Sequence, residues 1–481
     1  MSTILATHGL NFRSVWVDLP FSRWDLLAPS WKARHQYLDS QGEKSFYERD
    51  AYAHWARDFL ALQGIARFSA EGWRLYQESG YESTALLPSE VYPSVKEAHA
   101  SLQGLVEGMQ LMAQEARRGQ ALDVATFLRA VERAYGQTVS FRTTPLNGPL
   151  RTLPPTEIEP TLGALLSEIH TQFSSGVSPL ALSAWAHHVL TQVRPFADGN
   201  ARAAFLLSQY ILWRAGLPGL HFKPSQRLSY YKALQKADEG TLLPWAQAFL
   251  LFLQQAVLYA LSWGGRPRET TRDAALQSFN QRFADWRSRH DRERSQRIMN
   301  NRYTIFDYME ESLRSIATDL DQKLKVEEGR SPRVLVAKAY PDSPYYYQFT
   351  TDIIEYARAH GYYFNRGLPR GWFKLKFSLS ANKKYQLVFS LHHAGHEDAT
   401  LVVGAFFHFL EPLKYQQKRL RRRRTPRRKE KAIYLFAPLP FKAEPIAFSI
   451  EQNIPGVRSL LREYAENLVI QALNELTNEI Y

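Results

Sequence analysis

Apolar residues recur at three- and four-residue intervals through most of the first 262 positions and at alternate positions through much of the last 150, so the chain reads as mainly α with a late change of period. The spacing predicts helices from about Ser45 to Leu62, from Ser178 to Val193 and from Ala201 to Ala215, the last closed by Gly216. Past the breaker-rich stretch Ser262-Trp-Gly-Gly-Arg-Pro-Arg, two further helices are expected over 273–300 and 304–326. The first carries Leu276, Phe279, Phe283 and Trp286 at 3-4-3 spacing, the second Met309, Leu313, Ile316 and Leu320 at 4-3-4. Such stripes suit either a helical hairpin or a homodimer contact through 273–326.

Beyond residue 330 the period becomes two. Phe373, Leu375, Phe377 and Leu379 alternate with polar residues, a turn follows at Asn382, and Tyr385, Leu387, Phe389 and Leu391 alternate back. Segments 399–409 and 431–437 continue the meander, and a helix is expected over about 456–480. Four stretches result: a Trp-rich helical extension (1–75), a helical domain (76–262), a helical hairpin or linker (263–330) and an α+β domain with an antiparallel sheet (331–481).

Composition narrows the picture only in places. With 481 residues, 45% hydrophobic and 13% aromatic, the chain has material for two or three ordered domains. It has no cysteine, which excludes disulfides, Cys-ligated zinc and a thiol nucleophile and suits a cytoplasmic setting. The N-terminus lacks a basic region followed by an apolar core, and the most apolar run, around 247–262, is interrupted by Gln254 and Gln255, so neither a signal peptide nor a transmembrane segment is expected. The net charge of +13 is local: Lys414 to Lys431 holds eleven Lys/Arg and one acid, net +10, leaving +3 for the rest. This basic loop falls in the connection between the third and fourth expected strands. Its Lys418, Arg419, Arg421, Arg422, Arg423, Arg424, Arg427, Arg428 and Lys429 suit nucleic-acid phosphates, with an acidic protein or an anionic membrane surface as alternatives.

The densest chemistry lies at 193–202, Val-Arg-Pro-Phe-Ala-Asp-Gly-Asn-Ala-Arg. A Gly199-Asn200 turn opening onto a helix presents free amides and the positive end of the helix dipole to an anion. Arg202 adds a guanidinium in the first turn, and Asp198 offers one hard oxygen of the kind Mg²⁺ takes beside phosphate oxygens.

This decapeptide resembles the signature of Fic (Fido-fold) proteins, His-x-Phe-x-Asp/Glu-Gly-Asn-Gly-Arg-x-x-Arg. The resemblance extends upstream to Gly136–Pro155, similar to the family's β-hairpin flap, which holds a target protein segment by strand addition. Downstream it takes in Arg227 to Gly240 and Pro244-Trp245, similar to helices whose tyrosines, here Tyr230 and Tyr231, border the adenine pocket. It implies a Fic-like domain over 76–262, a nucleotide such as ATP with Mg²⁺, and Asp198, Gly199, Asn200, Ala201 and Arg202 around the phosphates.

Three positions depart from the signature. Arg194 stands where the family has its general-base His, and a guanidinium stays protonated. Ala201 replaces a glycine and Phe205 replaces the final arginine. The family's inhibitory Ser/Thr-x-x-x-Glu-Gly/Asn helix is best matched by Ser83 to Pro88, with Leu87 at the Glu position. Leu87 and Phe205 are therefore expected to pack where an ion pair once stood. His187 and His188 read as helix histidines or, less simply, as a replacement base, His188 lying about 9 Å from Arg194 along the axis. His392, His393, His396, Glu397 and Asp398 read as a solvated turn or a metal site. Taken together, the residues suggest a catalytically degenerate, bacterial-type cytoplasmic Fic protein, a regulator or defence component. It would bind a nucleotide at the retained anion site and nucleic acid through 414–431. The alternative is an active nucleotidyltransferase, AMPylating a protein without the histidine.

Overall fold

The computed structural model describes residues 3–145, 153–264, 292–323, 333–341, 343–378, 384–412, 434–439, 441–451 and 456–480. The chain forms two compact units, Met1–Asp25 with Trp31–Arg266, and Leu26–Ser30 with Pro267–Tyr481. Apart from one pair of two-residue strands, β1 (Arg67–Phe68) and β2 (Val91–Tyr92), the first is helical. Its main helices are α1 (Thr3–Thr7), α2 (Ala28–Ser40), α3 (Lys44–Gln63), α4 (Ala70–Glu78), α5 (Val95–Arg118), α6 (Val124–Tyr135), α7 (Ile158–Ser174), α8 (Pro179–Val193), α9 (Asn200–Arg214), α10 (Arg227–Asp238) and α11 (Leu243–Ser262).

Two of these form the centre. Every residue from Leu180 to Leu190 in α8 and from Ala203 to Leu212 in α9 is buried, the signature of a helix apolar on all faces. Polar side chains inside this pair satisfy one another: Ser183 donates to Ser208 O at 3.1 Å, and His187 Nδ1 lies 2.9 Å from Ser208 Oγ. Helix α6 is positioned by α5. A Cβ on Gly104 would lie 2.5 Å from Arg133 O and one on Gly108 2.8 Å from Ala130 O, so only glycine lets the backbones approach this closely. That contact carries Ala134 and Tyr135 to the signature turn. Helix α11 has the length and composition of a membrane span, but Trp245, Phe249, Phe252, Leu253 and Val257 are buried in this unit.

One sequence expectation changes here and another falls partly outside the described residues. The described residues of 136–155 include no strand, and 146–152, the middle of the expected flap, lie outside them. The segment matched to an inhibitory helix is a three-residue 3-10 turn, Ser83–Ala85, followed by extended backbone. Pro88 removes an amide there, and the chain turns into β2 instead of continuing as helix.

In the second unit the expected alternation forms β4 (Gly371–Ser378), β5 (Lys384–His393), β6 (Thr400–Pro412) and β7 (Tyr434–Pro438). Two strands that alternation did not reveal, β3 (Arg333–Ala339) and β8 (Ile446–Ser449), complete a six-stranded antiparallel sheet of order β3-β4-β5-β6-β7, with β8 also on β6. Register places Phe373 beside Phe389, Leu375 beside Leu387 and Phe377 beside Tyr385. These side chains face a core shared with a helix at Arg292–Lys323 and the closing helix Val457–Ile480. A further helix, Thr350–Ala359, covers the opposite face, where Gly404 leaves room for the Tyr356 ring.

The expected pair of helices over 273–300 and 304–326 is corrected in part. Arg292–Lys323 is one unbroken helix, because nothing between Asn300 and Thr304 breaks it, while 265–291 and the first apolar stripe lie outside the described residues. In the second stripe Met309 and Leu313 are fully buried against the sheet and the closing helix, with Ile316 and Leu320 packed alongside, so this stripe is core of the unit. Leu313→Ala should cost the second unit about 2–5 kcal/mol. In denaturant unfolding that loss should be independent of protein concentration, which a dimer seam would not allow.

Candidate functional site

Helix α8 ends at Arg194, which adopts a left-handed conformation (φ 44°, ψ 65°) and closes the helix with its amide on Leu190 O at 3.1 Å. Only Tyr81 shares a positive φ among described non-glycine residues. Such a residue persists when its surroundings over-determine it. The determinant is Arg142, 4% exposed, which donates from Nε to Arg194 O at 2.8 Å and from its amide to Pro195 O at 3.0 Å. The same guanidinium reaches Thr144 O at 3.1 Å and Leu153 O at 2.6 Å. One buried side chain thus holds both ends of the 144–153 loop against the signature turn.

The turn then closes on itself. Asn200 Oδ1 accepts from the Phe196 amide and its Nδ2 donates to Phe196 O, both at 2.9 Å. Phe196 is buried and stacks on Phe141 at 6.0 Å. Asp198 is exposed: its Oδ1 accepts from the Gly199 amide at 2.6 Å, while its backbone carbonyl accepts from the Tyr135 hydroxyl at 2.9 Å. Gly199 sits at φ +73°, and a Cβ there would lie 1.9 Å from the Tyr135 oxygen, so backbone angle and space both require glycine. Helix α9 starts at Asn200 with no side-chain cap, and half-exposed Ala201 lies in its first turn.

Three guanidiniums belong to this turn. Arg194 is half-buried and donates from Nε to Thr191 O at 3.3 Å. Arg202 lies over the Tyr135 ring at 3.9 Å and donates to Ala134 O at 3.3 Å, with its buried Nε unpartnered. Arg142 touches main-chain oxygens, and burial, reinforced by the nearby Arg194 charge, lowers its pKa. None of the three meets a carboxylate among the described residues.

The remaining site expectations fare unevenly. Phe205 is fully buried, stacked on Phe59 of α3 at 4.4 Å and edge-on to Phe222 at 5.7 Å. Leu87 is 57% exposed, so the two do not replace an ion pair. Tyr230 is buried, its hydroxyl 3.0 Å from His187 Nε2. Tyr231 is 41% exposed, its hydroxyl donating to Gln63 at 3.0 Å. His188 lies 2.9 Å from Asp238, a partner that holds it within the fold. Arg142 and Tyr135 were missed. Arg142 lies within a stretch read as flap and Tyr135 at the end of a helix, and neither has a spacing signal.

Two histidine groups resolve as structural. His392 and His393 are consecutive in β5, so their rings point to opposite faces, and burial pushes both pKa values down to about 3. His393 accepts from Arg302 at 3.1 Å, His392 lies 2.7 Å from the Tyr362 hydroxyl, and His396 stacks on Tyr363, so no metal site forms there. In the first unit, one ligand-type atom from each of His54, Asp58 and His221 lies within 4.8 Å of the others. The Arg57 guanidinium already binds Asp58 and lies 3.4 Å from His54 Nε2, so the carboxylate is neutralised by a fixed cation. The basic residues of 414–431 lie outside the described residues.

Residues 121–212 match the model of the Fic/DOC family. Protein adenylyltransferase Fic of Drosophila willistoni is 37% identical over 79 residues, 16% of this chain and 16% of that protein, and the Drosophila virilis protein matches to the same extent. The chain thus spans about a sixth of the length of these relatives. Among solved structures, a Fic domain-containing signalling protein from Bacteroides thetaiotaomicron is 17% identical with a TM-score of 0.41, covering 48% of this chain and 96% of its own. Fic-1 of C. elegans is 21% identical with a TM-score of 0.37, covering 47% and 74%.

The core beneath the site carries a pH signature. Burial, with the neighbouring His188 adding, pulls the His187 pKa from 6.5 down to about 3. The ring therefore stays neutral when folded, while the unfolded chain takes up a proton near pH 6.5. Its stabilisation is full above pH 6.5, falls as pH drops toward 3 and levels off below. In urea unfolding between pH 6 and 4, His187→Gln should flatten the slope by about 1.4 kcal/mol per pH unit, one proton's worth.

Proposed function

We propose that this chain, whose residues 121–212 belong to the Fic/DOC family and are related there to protein adenylyltransferases, binds a nucleotide at the 193–202 turn without efficient group transfer. The observation that carries this reading is the set of three guanidiniums, Arg142, Arg194 and Arg202, that meet no carboxylate among the described residues beside an uncapped helix N-terminus. Buried or half-buried cations of this kind are stabilised by an anion, and first-turn amides supply directional donors to it.

The donor set fits a nucleotide phosphate with Mg²⁺. Asp198 is exposed with one carboxylate oxygen engaged by the Gly199 amide, which leaves the other for a metal that keeps waters and phosphate oxygens as its remaining ligands. Bound Mg²⁺ would offset phosphate charge; the protein's own residues hold and orient the phosphates. Arg194 takes no proton from a hydroxyl, so its role is that of a phosphate ligand. Phe205 places a ring in the core where the signature has a charge, which removes the far phosphate contact. The loop tied down by Arg142 suits a protein segment laid along 136–155. The cations of 414–431 suit nucleic acid, with affinity falling as salt rises.

A nucleotide at 100-fold its dissociation constant should stabilise the protein by about 2.7 kcal/mol. Arg194→Gln and Arg202→Gln should each weaken it roughly 10-fold or more, the loss of one charge-assisted contact. With labelled ATP, incorporation should not exceed that of an Asn200→Ala/Arg202→Ala variant. Incorporation clearly above that background would establish group transfer and overturn the reading.

A further inference from the structure

The second unit holds a cation placed much like those of the first. Arg370, immediately before β4, is 2% exposed, and its guanidinium lies 4.5 Å from the Tyr346 ring, 5.1 Å from Tyr347 and 5.6 Å from Phe364. Among the described residues its guanidinium donors reach Thr350 Oγ1 at 3.2 Å and Arg366 O at 3.4 Å, with Nε buried and unpartnered. Along the same face of β4, Trp372 and Lys374 continue an alternation of cation and ring, the Lys374 Nζ lying 4.7 Å from Trp372 and 5.3 Å from Phe349. Burial, with Lys376 nearby, lowers the Lys374 pKa to about 8.

Over this base two phenol rings face solvent, Tyr345 at 60% and Tyr347 at 73% exposure. The backbone beneath them is fixed. Tyr345 O accepts from Trp372 Nε1 at 3.1 Å and from the Gln348 amide at 3.0 Å, and Tyr347 O accepts from the Thr350 amide at 3.2 Å. Between them Tyr346 is anchored, its hydroxyl accepting from the Arg370 amide at 3.1 Å. From Ser343 to Lys376 the sequence carries five Lys/Arg and two acids, net +3 (5 − 2), and one of the acids, Asp352, lies 3.1 Å from His408. Exposed Arg366 lies at the edge of the same feature.

We infer that Tyr345 and Tyr347 form a stacking platform for single-stranded nucleic acid, with bases on the two rings and the backbone drawn by Arg366 and the buried charge of Arg370. Rigidly held, solvent-facing rings lose little entropy on stacking, and every base offers a π-face, so the platform reads strandedness and not sequence. The net positive charge of this segment favours a polyanion over an apolar or cationic protein surface. This inference extends the nucleic-acid reading of 414–431 but rests on different residues.

The full-length chain is compared with Tyr345→Ala/Tyr347→Ala, Tyr345→Phe/Tyr347→Phe and a variant with 414–431 replaced by a Gly-Ser linker. The readout is the binding of a fluorescein-labelled oligothymidine and of a duplex of equal length across salt concentrations. The Ala pair should weaken single-strand binding roughly 5- to 150-fold per ring, the equivalent of about 1–3 kcal/mol per base, with duplex binding and salt slope unchanged. The Phe pair should bind as wild type. The linker variant should lower the salt slope for both probes. Unchanged single-strand affinity in the Ala pair would overturn the platform even where the linker variant loses binding. An effect of the Ala pair without one from the linker would retain the platform and remove the basic loop. Absence of binding by the wild type would remove both and leave a protein as the occupant of this face.

Discussion

The signature turn depends on a buried arginine that meets no carboxylate among the described residues. Arg142 gathers carbonyl oxygens from Thr144, Leu153 and Arg194, and its own amide takes the carbonyl of Pro195. Carbonyls at the end of α8 lack intrahelical donors, so a guanidinium there acts as a C-terminal cap and meets the negative end of the helix dipole. It also binds the carbonyls of Thr144 and Leu153, which ties those two backbone positions to the turn. The left-handed Arg194, the reciprocal Asn200–Phe196 pair and the Tyr135 contact to Asp198 all presuppose that anchor.

The departures from the family signature have different physical origins. Phe205 is accommodated because α3 brings Phe59 against it, and together with Phe222 these rings form a continuous aromatic core between the N-terminal helices and the signature helix. An arginine returned to that position would bury a charge among aromatic rings, which is costly without a partner. At Arg194 the main chain is held by its amide and carbonyl, independent of its side chain. Ala201 adds one methyl group in the first turn of α9.

Among the described residues, both units contain cations held by neutral oxygens and aromatic faces with no carboxylate partner. Arg142 and Arg202 do so around the signature turn, Arg370 and Lys374 around the 343–350 segment. Aromatic faces reduce the cost of burying such a charge. Neutral histidines give the opposite case: burial keeps His187, His392 and His393 uncharged and confines them to structural hydrogen bonding.

By itself the sequence determined what neighbours in the chain determine: α8, the turn and α9, the alternating strands β4 and β5, and the closing helix. Periodicity, capping and turn chemistry act over a few residues and are written in order. The tertiary structure decided the rest. Arg142 meets Arg194 across 52 positions, Tyr135 meets Asp198 across 63, and Phe59 stacks on Phe205 from still farther away. The same limit governed the errors. Leu87 and Phe205 looked like partners in a pattern but are parted by packing, and one helix runs where two stripes suggested a break. A hydrogen bond or a ring stack between distant positions has no local signature, because its energy exists only once the helices that carry the partners have packed.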